Sequence, residues 1–212
     1  MDCVYKKFLD KFSRGSHEIE NKNVRIVDFF NLNFIKDMEF LNEKIISITL
    51  LNNGKYFISN SKTKGFVLEM NNDIESINDI SSEYKELQKN IGKITSLFGF
   101  KNKYFQNISE LFSNDEDSRG LGFFYEEFME RSDNRKILGN INIDRIFTIA
   151  YEANGNRIVL TNDNCVYIYA HDLVTHYYEK LDGMPKNTFH LIPQMNSLKE
   201  FVKAFFNDFI SE

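Results

Sequence analysis

The sequence predicts an α+β protein centred on a mainly antiparallel β-sheet flanked by helices. Three observations carry that prediction. β-Branched and aromatic runs cluster twice, at 45–70 and 145–169. Asn52-Asn53-Gly54 in the first cluster, and Asn154-Gly155-Asn156 with Thr161-Asn162-Asp163-Asn164 in the second, are turn or hairpin-type connections between such runs. Outside the clusters, 74–98 and 198–209 change to a three-to-four apolar spacing, the period of a helix.

Taken in order, Val4, Tyr5, Phe8, Leu9 and Phe12 recur at helical spacing, and Gly15 stands where a helix over 4–12 would end. Residues 17–20 and 24–29 then alternate polar with apolar around Asn21-Lys22-Asn23, the pattern of two short strands and a turn. The first β cluster follows: a strand over 45–50, a turn at Asn52-Asn53-Gly54, a strand from Tyr56 to Ile58 and a third over 66–70. Ile74, Ile77, Ile80, Tyr84, Leu87, Ile91 and Ile94 predict one long helix from Ile74 to about Phe98, and 103–112 reads as a shorter one. A polar, acidic loop spans 113–120, and a helix is expected through Tyr125-Glu126-Glu127-Phe128-Met129.

The second cluster predicts a meander. Strands at 145–151, 157–160 and 165–169 are joined by Asn154-Gly155-Asn156 and by Thr161-Asn162-Asp163-Asn164, and 174–180 offers a fourth strand. Ser197 with Glu200 fits a capping box, opening a terminal amphipathic helix with Leu198, Phe201, Val202, Phe205 and Phe209 on one face. The two clusters echo each other, Asn53-Gly54 lying over Asn154-Gly155 and Ile45 to Ile48 over Ile146 to Ile149. Turn chemistry alone produces such likeness, so 1–212 is read as one domain, open to division into related lobes at 1–112 and 119–212.

Composition narrows the function classes. The 212 residues are 42% hydrophobic, with 21 Phe and 10 Tyr, ample apolar surface for a core. A net charge of -5, with cations interspersed among acids, lacks the basic surplus that phosphate neutralisation requires, so no nucleic acid is expected as a direct ligand. Two distant cysteines, Cys3 and Cys165, form neither a disulfide framework nor a spaced metal site. No apolar leader opens the sequence and no run approaches the roughly 20 residues of a membrane span, so a cytoplasmic protein is expected.

Three segments carry a family likeness: Gly155-Asn156-Arg157-Ile158-Val159-Leu160, then Val166-Tyr167-Ile168-Tyr169-Ala170-His171-Asp172, then Ser197-Leu198-Lys199-Glu200-Phe201-Val202. Together they resemble the SUKH superfamily, typified by fungal cell-wall synthesis regulators and bacterial toxin-immunity proteins. Tyr5-Lys6-Lys7-Phe8-Leu9 before Gly15 is similar to that family's opening helix. The resemblance implies a non-enzymatic protein that acts by binding, as an immunity or antitoxin-like inhibitor of a protein toxin. A regulatory scaffold that binds signalling proteins is the alternative it offers.

No constellation in the sequence argues for catalysis, a cofactor or a metal. Cys165 and His171 stand at opposite ends of one strand, about 20 Å apart at 3.3 Å per residue, too far for an imidazole to activate the thiol. An inert Cys165 is the better account. His171, His176 and His190 match no zinc spacing. Glu126, Glu127, Glu130 and Asp133 read as a solvated helix face, and Gly120-Leu121-Gly122 lacks the third glycine and preceding strand of a phosphate loop. Phe205, Phe206 and Phe209 are assigned to core packing before any partner groove. The residues proposed to meet a basic partner are Asp115, Glu116 and Asp117 in the acidic loop and Glu152, Asp163 and Asp172 at strand ends.

Overall fold

A computed structural model of the chain describes residues 19–23, 47–51, 54–59, 65–70, 80–100, 105, 108–112, 141–142, 145–170, 179–180 and 189–211. Eleven strands among them form one sheet: β1 (Ile19–Asn23), β2 (Ser47–Leu51), β3 (Tyr56–Ser59), β4 (Gly65–Glu69), β5 (Lys93–Phe100), β6 (Ile108–Leu111), β7 (Phe147–Tyr151), β8 (Arg157–Leu160), β9 (Val166–Tyr169), β10 (Glu179–Lys180) and β11 (Phe189–Leu191). They lie in chain order except that β11 comes between β9 and β10. Every neighbouring pair is antiparallel. Two helices, α1 (Ser82–Asn90) and α2 (Leu198–Ser211), complete the described structure. The architecture is the sheet-dominated α+β arrangement expected, and every strand pair except β9–β11 joins strands that are consecutive among those described.

Local chemistry sets most boundaries. The Ser81 side chain caps α1 by accepting from the Tyr84 backbone N–H at 3.1 Å. At the other end, the N–H groups of Ile91 and Gly92 both return to the Leu87 carbonyl, and Gly92 sits at φ +67. That left-handed residue corrects the expected helix over 74–98. The helix stops at Asn90 and the chain re-emerges as β5, where Ile94 and Ser96 are buried and Lys93 and Thr95 are less so, a period of two rather than 3.6. Residues 71–79 lie outside the described residues.

Three further expectations change. Residues 108–111, read as helix, form β6 between β5 and β7. Asn21-Lys22-Asn23, read as a turn, belongs to β1, whose register slips between Glu20 and Asn23, so the polar residues are taken up in a bulge. β11 was not foreseen at all, and of the strand expected over 174–180 only Glu179–Lys180 is described. The helices expected at 4–12 and 125–129 lie outside the described residues.

One apolar cluster unites the two β regions with both helices. It takes Ile58, Phe66 and Leu68 from the first region, Ile158, Leu160, Val166 and Ile168 from the second, and Tyr84, Leu87, Phe201, Val202 and Phe206 from the helices. Aromatic rings make the long-range joins, tilted or edge-on as ring quadrupoles prefer. Phe206 of α2 lies 6.4 Å from Phe66 of β4, and Tyr84 of α1 lies 5.3 Å from Phe147 of β7. Inside the cluster, the Gln88 side-chain amide donates to the Tyr84 hydroxyl at 3.0 Å and to the Phe112 carbonyl at 2.5 Å, tying α1 to the end of β6. Burial holds the Tyr84 phenol far above its ordinary pKa.

The two meanders share their spacing. Leu50 pairs with Tyr56 across 51–55, as Tyr151 pairs with Arg157 across 152–156; Ser59 pairs with Gly65 across 60–64, as Leu160 pairs with Val166 across 161–165. Gly54 at φ +75 and Gly155 at φ +92 occupy matching turn positions. Their faces are inverted, however. Tyr56 and Ile58 belong to or pack on the core cluster, whereas the matching Arg157 and Val159 stand outside it. Antiparallel pairing explains this: β7 lies an odd number of strands from β2 and runs the opposite way, so a pattern repeated along the sheet must turn over.

The second sheet face is also dry over much of its area, with Phe57, Val159, Tyr169 and Phe189 buried. Arg157 is buried there too, its guanidinium 5.1 Å from the centre of the Tyr151 ring. Half-exposed ion pairs lie at the ends of β3 and β4, where Lys55 pairs with Glu69 at 2.5 Å, and across β5 and β6, where Lys93 pairs with Glu110 at 2.9 Å. Such half-exposed pairs each contribute below about 1 kcal/mol.

Candidate functional site

The β8–β9 turn and the start of α2 build one exposed rim. Thr161 organises the turn. Its backbone N–H donates to the Cys165 carbonyl, its hydroxyl accepts from the Cys165 N–H at 3.1 Å, and the Asp163 carboxylate accepts from that hydroxyl. Asn164, at φ +64, donates its N–H to the Thr161 carbonyl, a left-handed position that asparagine tolerates better than most residues. Asn162 and Asp163 are left exposed at the tip.

Backbone hydrogen bonds bind the start of the helix to the turn. The Leu198 N–H donates to the Asn164 carbonyl and the Val166 N–H to the Asn196 carbonyl, with Cys165 and Ser197 forming an antiparallel bridge. The capping box closes as its sequence requires. The Glu200 N–H donates to Ser197 Oγ at 3.2 Å, and the Ser197 N–H donates to Glu200 Oε2 at 3.1 Å. A cap of this kind contributes about 1 kcal/mol to helix stability. The rim therefore presents Asn162, Asp163, Asn196, Lys199 and Glu200 to solvent on backbone held from two directions.

Electrostatics keep the tip acidic. The Thr161 hydroxyl bond, outweighing a little burial, holds the Asp163 carboxyl below the usual carboxylate range. The sign follows directly. A folded-state pKa below the unfolded one contributes stability that is full above the ordinary carboxylate value and is lost as the pH falls through the lowered one. An NMR pH titration is expected to find Asp163 ionising below the ordinary aspartate value, and Thr161→Val is expected to move it back up toward that value.

The six residues expected to meet a partner fare differently. Asp163 is exposed on the rim. Glu152 is 5% exposed at the β7–β8 turn, at the other end of β8, where it accepts from Asn156 Nδ2 at 2.8 Å and its N–H donates to the Asn156 carbonyl. Its carboxylate braces that turn in place of meeting solvent. Asp115, Glu116, Asp117 and Asp172 lie outside the described residues. Asn162, Asn196 and Glu200 share the exposed rim with Asp163 and were not expected as contact residues; the capping box located Glu200 on an exposed first turn, and nothing in the sequence placed that turn beside 161–165.

Cys165 sits partly buried beside this rim. Burial first, and then the Asp163 carboxylate, push its thiol above the ordinary value, which disfavours the thiolate that nucleophilic chemistry needs. Burial likewise raises the neighbouring Tyr167 phenol to about 12. His190 is buried on β11, and His171 and His176 lie outside the described residues. Among the described residues no group of three or more His, Cys, Asp or Glu is gathered in a way that holds a metal ion, and no helix is long and apolar enough to cross a membrane.

No family model, curated protein or solved structure matches this chain.

Proposed function

We propose that the chain is an immunity or antitoxin-like protein of the SUKH type, acting in the cytoplasm by binding and neutralising a cognate protein toxin rather than by catalysis. The observation that carries the reading is the rim, an exposed and firmly ionised Asp163 on a turn tied by hydrogen bonds to a capped helix. Rigid backbone loses little entropy when it docks, so more of the interaction energy of such a surface appears as affinity. Support also comes from the family-like segments. The Gly155 turn with β8, the aromatic strand β9 and the Ser197-capped helix are contiguous through strand pairing and the Cys165–Ser197 bridge.

Asp163 and Glu200 favour a basic face on the toxin, with Asp115, Glu116, Asp117 and Asp172 proposed as further contacts. The same reading takes the two meanders as related lobes, whose equal turn lengths and inverted faces are what a unit repeated along an antiparallel sheet requires. The partner is a protein, and neither nucleic acid nor a membrane is part of the proposal. Affinity capture from the native host tests it: recovery of a basic, toxin-like protein by the wild type, with recovery weakened at least tenfold by Asp163→Lys, is the expected outcome. Capture of several signalling proteins and no toxin would favour the scaffold reading instead.

A further inference from the structure

We draw no further inference here: the strongest candidate, the exposed polar patch where the 161–165 turn meets the first turn of α2, belongs to the site already described, and nothing in the structure shows what covers it.

Discussion

Gly92→Ala is expected to unfold the protein or to destabilise it by about 3 kcal/mol or more, an effect reserved for a few mechanisms such as backbone strain and steric overlap. Two causes act together. Gly92 is at φ +67, where a Cβ is strained, and a Cβ built there falls on the Glu69 carbonyl oxygen, with the Glu69 carbonyl carbon at 2.5 Å and Met70 Cα at 2.6 Å. All of these are backbone atoms of β4 and its end, so relief requires moving the β4–β5 pairing or the exit of α1. Gly54→Ala separates the two causes. It is strained at φ +75 but has nothing within 4 Å, so only the conformational cost of roughly 1–2 kcal/mol is expected. Chemical denaturation of both variants measures the difference, and equal losses would mean that the Gly92 contact is relieved without cost.

Phe201→Ala is expected to cost about 3–5 kcal/mol, the range for removing a buried aromatic ring. Phe201 is 1% exposed on α2 and meets Phe105 at 5.7 Å and Phe112 at 6.1 Å, both edge-on. Its loss opens a cavity among side chains that are themselves buried, so collapse around it is limited. In a domain of this size the corresponding fall in Tm is roughly 10 °C. The consequence reaches the rim, because the start of α2 holds the turn through the Leu198 N–H, which donates to the Asn164 carbonyl, and the Asn196 carbonyl, which accepts from the Val166 N–H. Loss of the helix would release the Asp163 turn on one side. Lys199→Ala, at an exposed position of the same helix, is the comparison and is expected to change stability little.

Much of the sheet was legible because hairpin chemistry is local. Asn53-Gly54 and Asn154-Gly155 sit between β-branched runs and leave little choice of partner, and β2, β3, β4, β7, β8 and β9 all lie within a few residues of their expected places. Ser197 and Glu200 announced the start of α2 for the same reason. The failures arose where one apolar pattern satisfies two periods. Ile91, Ile94 and Phe98 continue a helical spacing from Leu87, yet Ile94 and Ser96 also alternate as a strand, and the positive φ of Gly92 decides between them. The glycine directly after a helical run was the available signal.

β11 carried its own marker, a short apolar run lying between Pro185 and Pro193. The site was half legible. A Thr-Asn-Asp-Asn turn between strands is solvent-facing on composition, and Asp163 is exposed. Glu152 looked the same from its position at a strand end, but the side chain folds back on Asn156, a contact that depends on the turn's three-dimensional path. That α2 docks beside 161–165 depends on long-range packing of Phe201 and Phe206, which periodicity does not encode.

The immunity role is tested by a growth assay in which this chain is co-expressed with the product of the reading frame adjacent to its gene. The neighbour alone is expected to arrest growth, the wild-type chain to restore it, and Asp163→Lys to restore it less well at equal soluble level. A harmless neighbour, or a toxic one whose effect this chain leaves unchanged, would contradict the proposed immunity role.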